Sequence, residues 1–199
     1  MYDILTPFQV PIYKDKIDEK SFLQIKKDVF NFIDTSFEKF QTAWDCPTLS
    51  TVNIPLKENI QSPTLNNIVK QHIENYFKVW GLNNKVSLEI NSLWVNISPP
   101  NSFQEAHKHL LHGINNIFSG VMYIDVYPDS GNLILVNPLE DQLMLMIPSS
   151  KIYPRISIPP ENKNIILFPS WLEHYVSENK TSKNRISISW NINAKPIKN

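Results

Sequence analysis

"RISISWNI", residues 185–192, alternates without a break. Arg185, Ser187, Ser189 and Asn191 fall on one side of an extended chain, and Ile186, Ile188, Trp190 and Ile192 on the other. A strand so divided buries its apolar side against a helix or a second sheet. Its polar side is either solvated, which is the ordinary case, or lines the inside of a barrel. In a barrel, Arg185 and Ser187 would grip an anion through a two-pronged guanidinium and a hydroxyl. Arginine usage favours the interior. Of 19 basic residues only Arg155 and Arg185 are arginine, and lysine cannot reproduce the planar fork.

The same period of two reaches back to Val86. "VSLEINSLWVNI", "SGVMYIDV", "GNLILVNP", "QLMLMIP" and "NIILFPSWLEHYV" are short segments rich in β-branched and aromatic residues, bounded by Pro, Asn, Asp, Ser and Gly. With "RISISWNI" they predict six or more strands and no helix between them, hence an antiparallel sandwich, jelly roll or barrel. Upstream the period is helical. In "DEKSFLQIKKDVFNFIDTSFEKF" the positions Phe22, Ile25, Val29, Phe32, Ile33 and Phe37 form one apolar stripe. A second stripe runs through "SPTLNNIVKQHIENYFKVWG", with Ser62 as N-cap, Pro63 at the first helical position and a stop at Gly81. His72 lies on or beside that stripe and reads as a packed or solvent-edge histidine. An α+β chain is expected, a single domain over residues 1–199, with a helical part to about residue 85 packed on one sheet of a β core over about residues 86–194.

Composition narrows the function. A chain of 199 residues, 42% hydrophobic and of zero formal net charge, can bury one substantial core. No basic run tracks a phosphate backbone, so nucleic acid is a poor candidate partner. The single cysteine, Cys46, cannot form an internal disulfide and reads as a small buried hydrophobe. No apolar run reaches the roughly 18 residues of a membrane span, and "MYDILTPFQVPIYKDK" has no signal-peptide pattern, so a cytoplasmic location is expected.

Three of the five histidines crowd into "QEAHKHLLHG", residues 104–113. On a strand, His107 and His109 point to the same side with Cα atoms about 7 Å apart, a pair suited to a metal. An isolated pair of this kind is as readily a polar surface loop. In "ILFPSWLEHYV", counting by twos from His174 gives Leu172, Ser170 and Phe168, so His174 ends a strand that faces a mostly apolar interior. Alone, it reads as a histidine bonded to a neighbouring carbonyl.

In this order, two histidines on one strand, a third far downstream, then Arg185 eleven positions after it with Ser187 following, the chain resembles the Fe(II)/2-oxoglutarate-dependent oxygenases. It is most similar to a small branch common in phages and marine bacteria. The resemblance covers roughly residues 90–193 and is carried by "WVNI", "HKH", "SGVMYI", "FPSWLEH" and "RISISWNI". It implies a double-stranded β-helix (jelly roll). It implies Fe(II) held by His107, His109 and His174 as the catalytic and metal-binding residues, with open positions for cosubstrate and oxygen. It further implies that Arg185 pairs with the far carboxylate of 2-oxoglutarate, with Ser187, Tyr123 and Asn96 as further contacts. The implied reaction oxidises, and by expectation hydroxylates, a substrate C–H bond while 2-oxoglutarate becomes succinate and CO2. A phage-encoded enzyme would work in the host cytoplasm.

One feature departs from that pattern. Most of the superfamily has Asp or Glu as the second member of the first pair, where this chain has His109, which makes the site one charge more positive and could admit another metal. His112 could replace either neighbour, although the spacing from Trp94 and Asn96 fits His107 and His109. "PSSKIYPRISIPPENKN" is expected to cross between strands or lid the site and carries no substrate signature. The substrate, a small molecule or a protein side chain, and the oligomeric state are not written in the sequence. A cupin-like metalloenzyme without a keto acid would need the histidines but not Arg185. A viral jelly-roll structural or binding protein would need neither.

Overall fold

A computed structural model describes residues 9–43, 45, 47–81, 86–110, 116–144 and 153–196. The chain runs β1 (Tyr13–Lys16), α1 (Glu19–Thr35), β2 (Gln41–Thr42), β3 (Leu49–Ser50), α2 (Pro63–Val79), β4 (Val86–Ser98), β5 (Gln104–His107), β6 (Asn116–Asp125), β7 (Leu133–Val136), α3 (Glu140–Met144), β8 (Arg155–Ile158), β9 (Asn164–Pro169), β10 (His174–Val176) and β11 (Arg185–Pro196). Short 3-10 turns at Phe37–Lys39 and Leu56–Glu58 interrupt the N-terminal part.

Both predicted helices form, the second with its expected cap and stop and the first ending at Thr35, short of Phe37. Asp18 caps α1 by accepting from the Ser21 amide at 2.9 Å, and Ser62 caps α2 by accepting from the Leu65 amide, with Pro63 in the first turn. Gly81 follows α2 with a φ of 61°, the left-handed conformation that costs glycine least. Phe22, Ile25 and Val29 of α1 and Leu65, Val69, Ile73, Tyr76 and Phe77 of α2 are buried. Phe37, the last member of the α1 stripe, falls in the 3-10 turn and is exposed. His72 is buried, its Nδ1 2.8 Å from the Tyr13 hydroxyl, and burial pushes its pKa down.

The strands form two antiparallel sheets, one of seven strands ordered β1-β9-β6-β11-β4-β3-β2 and one of four ordered β5-β10-β7-β8. Alternation divides the larger sheet. One face presents Leu93, Val95, Ile97, Met122, Ile124, Ile165, Leu167, Ile186, Ile188, Trp190 and Ile192 to the helices in one continuous core. The other face presents Val121, Tyr123, Ile166 and Phe168 to Leu133 and Leu135 of the smaller sheet. The α+β jelly roll with helices on one sheet is therefore the architecture of the chain.

On the helix side Gly120 of β6 lies opposite Trp190 in register and is closely packed. A Cβ there would sit 2.5 Å from the Trp190 ring and 2.6 Å from Leu167 Cδ2. Both neighbours are fully buried. Gly120→Ala is expected to destabilise by about 1–3 kcal/mol through overpacking, and urea unfolding at equilibrium would measure it.

Four expectations need correction. The region to residue 85 is not wholly helical, because β1 pairs with β9 at one edge of the larger sheet while β3 and β2 extend the other edge beyond β4. "QLMLMIP" is not a strand over its described part: Asn137 accepts from the Leu139 amide at 3.0 Å and two acids follow in the first turn of α3. "NIILFPSWLEHYV" is two strands. Pro169 ends β9, a turn closed by the Leu172 amide on the Pro169 carbonyl at 2.9 Å follows, and β10 opens at His174 in the other sheet. The fourth correction concerns His109. β5 ends at His107, so the two histidines do not share a strand. No helix among the described residues is long and apolar enough to cross a membrane.

Candidate functional site

His107, His109 and His174 meet although the parity count that suggested it does not hold. His174 and His107 are register partners across β10 and β5. Between that pair and the next, Val176 with Gln104, the register slips by one residue. The irregularity lets Gln104 and His107, an odd number of residues apart, both line the cavity between the sheets. His109 lies beyond the strand, held by its amide on the Ser170 carbonyl at 2.9 Å and by the Asn116 side-chain amide donating to its carbonyl at 3.0 Å. The ring centroids are 4.4 Å apart for His107 and His174, 4.8 Å for His109 and His174, and 5.1 Å for His107 and His109. One nitrogen from each ring lies within 4.8 Å of the others, and no carboxylate joins this cluster among the described residues.

Hydrogen bonding settles which nitrogens face the cluster. His107 Nδ1 is 2.6 Å from the Glu105 carbonyl and His174 Nδ1 is 2.9 Å from the Leu172 carbonyl. A carbonyl only accepts, so each Nδ1 carries the hydrogen and each Nε2 keeps its lone pair. His109 Nδ1 faces Asn191 Oδ1 at 2.6 Å and Ser119 Oγ at 2.8 Å. Burial, then the neighbouring His107, pushes His109 down to about 4 against the opposing Asn191 contact. Burial followed by the two other rings holds His174 well below the usual imidazole range, and burial lowers His107 against the nearby Glu105. At neutral pH all three rings are therefore neutral and able to donate lone pairs. Three imidazoles are a donor set that suits iron among other divalent transition metals.

Beside the histidines, the interior face of the larger sheet is polar where "RISISWNI" predicted it. Ser187 is the register partner of Asn96 on β4 and of Tyr123 on β6, which sets the three side chains in one row. Arg185 opens β11 and is 2% exposed. Its Nη1 donates to Ser187 Oγ at 3.1 Å and its guanidinium lies 5.2 Å from the centre of the Tyr123 ring. Its Nε, the Tyr123 hydroxyl and Asn96 Oδ1 are buried without hydrogen-bond partners among the described residues. Burial lowers the Arg185 pKa against the stabilising Tyr123, and raises that of Tyr123 against the guanidinium. A buried cation with no carboxylate beside it among the described residues, and two further orphaned polar atoms, are the features of a pocket that receives an anion. The residues present fit both groups the resemblance implies.

All seven residues singled out in the sequence border this one cavity, together with Trp94 and Phe168. Sequence reasoning missed Ser119, Ser170 and Asn191, the contacts that hold His109. The only signal was the polar side of "RISISWNI", which includes Asn191. His112, Cys46 and the first five residues of "PSSKIYPRISIPPENKN", 148–152, lie outside the described residues, while Arg155–Ile158 of the same stretch is not a crossing or a lid but β8, the edge strand of the smaller sheet paired with β7.

Comparison with known proteins bears on this geometry. The family model described as "Putative 2OG-Fe(II) oxygenase" matches residues 92–191, just over half of the chain and the part that contains all seven residues. No match was found among curated proteins. Similar solved structures include a prolyl-4-hydroxylase from Pseudomonas putida, 13% identical, with a TM-score of 0.64 over 92% of this chain and 93% of that one. HygX from Streptomyces hygroscopicus, solved with nickel and 2-oxoglutarate bound, is 12% identical, with a TM-score of 0.58 over 92% and 83%. The epimerase SnoN, in complex with Fe3+, alpha ketoglutarate and nogalamycin RO, is 11% identical, with a TM-score of 0.68 over 95% and 82%. At such identities the likeness shows the fold, the double-stranded β-helix. The cupin-like and viral structural readings give way to the family match. The chain belongs to the 2OG-Fe(II) oxygenases, enzymes that use Fe(II) and take 2-oxoglutarate as cosubstrate.

Proposed function

We propose that His107, His109 and His174 hold Fe(II) through their Nε2 atoms, and that Arg185, with Ser187, Tyr123 and Asn96, receives 2-oxoglutarate beside it. In this reading the enzyme hydroxylates a small molecule or a protein side chain. Arg185 is the observation that carries the assignment. It borders the same cavity as the histidines, is 2% exposed and forms no ion pair with a carboxylate among the described residues. An unpaired buried guanidinium is unfavourable by several kcal/mol, so a bound dicarboxylate supplies what the protein lacks.

Each side chain has a defined task. The Arg185 fork donates to one carboxylate in two-pronged fashion, and the Ser187 and Tyr123 hydroxyls donate to its remaining lone pairs. The Asn96 amide can present either end, its Nδ2 now lying 3.4 Å from Ser189 Oγ. Phe168, whose ring centroid is 4.6 Å from that of His174, and Trp94, 5.7 Å from His109, keep the ring edges dry. Bound Fe(II) supplies the oxygen activation that couples decarboxylation of the keto acid to oxidation of a substrate C–H bond.

Aerobic incubation of the Fe(II)-loaded protein with carbon-13-labelled 2-oxoglutarate and a metabolite pool tests the reading. Labelled succinate is expected, together with a product that gains one oxygen atom from 18O2. Metal-loaded protein that forms no labelled succinate would contradict it. Succinate with a desaturated or rearranged product would keep the oxygenase and remove the hydroxylation.

A further inference from the structure

The three histidines are not oriented by the same means. His107 and His174 donate to main-chain carbonyls, which no substitution removes. His109 depends on side chains. We propose that Asn191 is a positioning residue that fixes the Nδ1–H tautomer of His109 and so turns the Nε2 lone pair toward the other two rings. This rests on the reading of His109 as a metal ligand.

The network behind His109 has one member whose sense is fixed by chemistry. Ser119 Oγ lies 2.8 Å from His109 Nδ1, 2.7 Å from Asn191 Oδ1 and 2.8 Å from Ser170 Oγ. A hydroxyl can donate or accept, so Ser119 alone would serve either tautomer of His109. An amide oxygen only accepts. Asn191 Oδ1 takes the His109 hydrogen at 2.6 Å and the Ser119 hydrogen at 2.7 Å. Ser119, its hydrogen so engaged and its oxygen supplied by Ser170, has only a lone pair left for His109. Asn191 Nδ2, on the side of the amide away from the histidine, donates to Ser92 Oγ at 3.0 Å. In this arrangement the His109, Ser119 and Ser170 hydrogens each have an acceptor.

Water cannot easily substitute, because Ser119 and Ser170 are fully buried and Asn191 is 8% exposed. Turned over, the amide would set an N–H against Nδ1, move the ring hydrogen to Nε2 and close that nitrogen to a metal. The device follows from the departure seen in the sequence. A carboxylate at position 109 would offer two accepting oxygens and need no selection of tautomer; an imidazole does need it, and β11 places Asn191 opposite Ser119 in register to provide it.

Nitrogen-15 imidazole correlation spectra of the metal-free protein at neutral pH report the tautomer directly, and Mn(II) titration of the same samples reports its consequence. Wild type, Asn191→Asp and Ser119→Ala are expected to keep hydrogen on His109 Nδ1, because each retains an obligate acceptor. Asn191→Leu is expected to show a substantial Nε2–H population and to bind Mn(II) roughly 10–100-fold more weakly. Asn191→Asp should match wild-type affinity or exceed it, which loss of packing alone would not produce. The proposal is overturned by an Nε2–H tautomer in the wild type, by an Asn191→Leu protein with unchanged tautomer and affinity, or by Asn191→Asp losing as much as Asn191→Leu. It is also overturned if Ser119→Ala shifts the tautomer and Asn191→Leu does not. A wild type that binds no Mn(II) would sink the metal reading instead, while the tautomer would still decide the role of Asn191.

Discussion

His174→Ala protein is expected to bind no stoichiometric Fe(II) while keeping its fold. His174 opens β10 at the register position of both His107 on β5 and Leu135 on β7, so its backbone pairing survives truncation. The lost ring gives up one hydrogen bond to the Leu172 carbonyl, a contribution of about 1 kcal/mol, and widens a cavity that already exists. Its effect on the metal is far larger. Removing a residue that merely supports a metal ligand costs roughly 10–100-fold in affinity, and removing one of three ligands exceeds that. His107→Ala and His109→Ala should behave alike. Metal analysis of anaerobically loaded proteins, beside thermal unfolding of the same samples, separates a lost site from a lost fold. Stoichiometric iron in all three single variants would place the site elsewhere.

Arg185→Lys is expected to bind Mn(II) normally and 2-oxoglutarate severely less well, by on the order of 2–5 kcal/mol if the charge pair is well desolvated. Lysine keeps the charge and loses the fork. Arg185 donates to Ser187 Oγ while its guanidinium lies against the Tyr123 ring, a planar arrangement that a single ammonium on a flexible stem does not reproduce. Isothermal titration of the keto acid into Mn(II)-loaded protein without oxygen gives the difference directly. Equal affinities in the variant and the wild type would remove Arg185 from the cosubstrate pocket.

The parts of this molecule that the sequence revealed are those with long, uninterrupted periodicity. β11 places Arg185, Ser187 and Ser189 toward the cavity, Asn191 against His109, and Ile186, Ile188, Trp190 and Ile192 toward the helices; the alternation separates the two sides, and the scarcity of arginine pointed the polar one inward. The caps at Asp18 and Ser62 act over three residues and were equally visible in the second case. What escaped has non-local causes. β2 and β3, two residues each, are too short to alternate, and β1, "YKDK", is a mostly exposed edge strand whose charges discourage further pairing. The parity of His107 and His109 pointed to two residues that do meet His174, but for a wrong reason. They converge because β5 slips its register and a polar cluster from β6, β11 and the turn after β9 holds His109. That cluster is assembled by tertiary packing, so the linear pattern showed only the polar side on which Asn191 lies and nothing of its pairing with Ser119 and Ser170.

The crystal structure of the protein with Mn(II) and 2-oxoglutarate, obtained without oxygen, tests the central claim most directly. One anomalous peak is expected among the Nε2 atoms of His107, His109 and His174, with the far carboxylate of the keto acid on the Arg185 fork and within reach of Ser187 and Tyr123. A metal bound away from these three rings, or a keto acid turned away from Arg185, would contradict it.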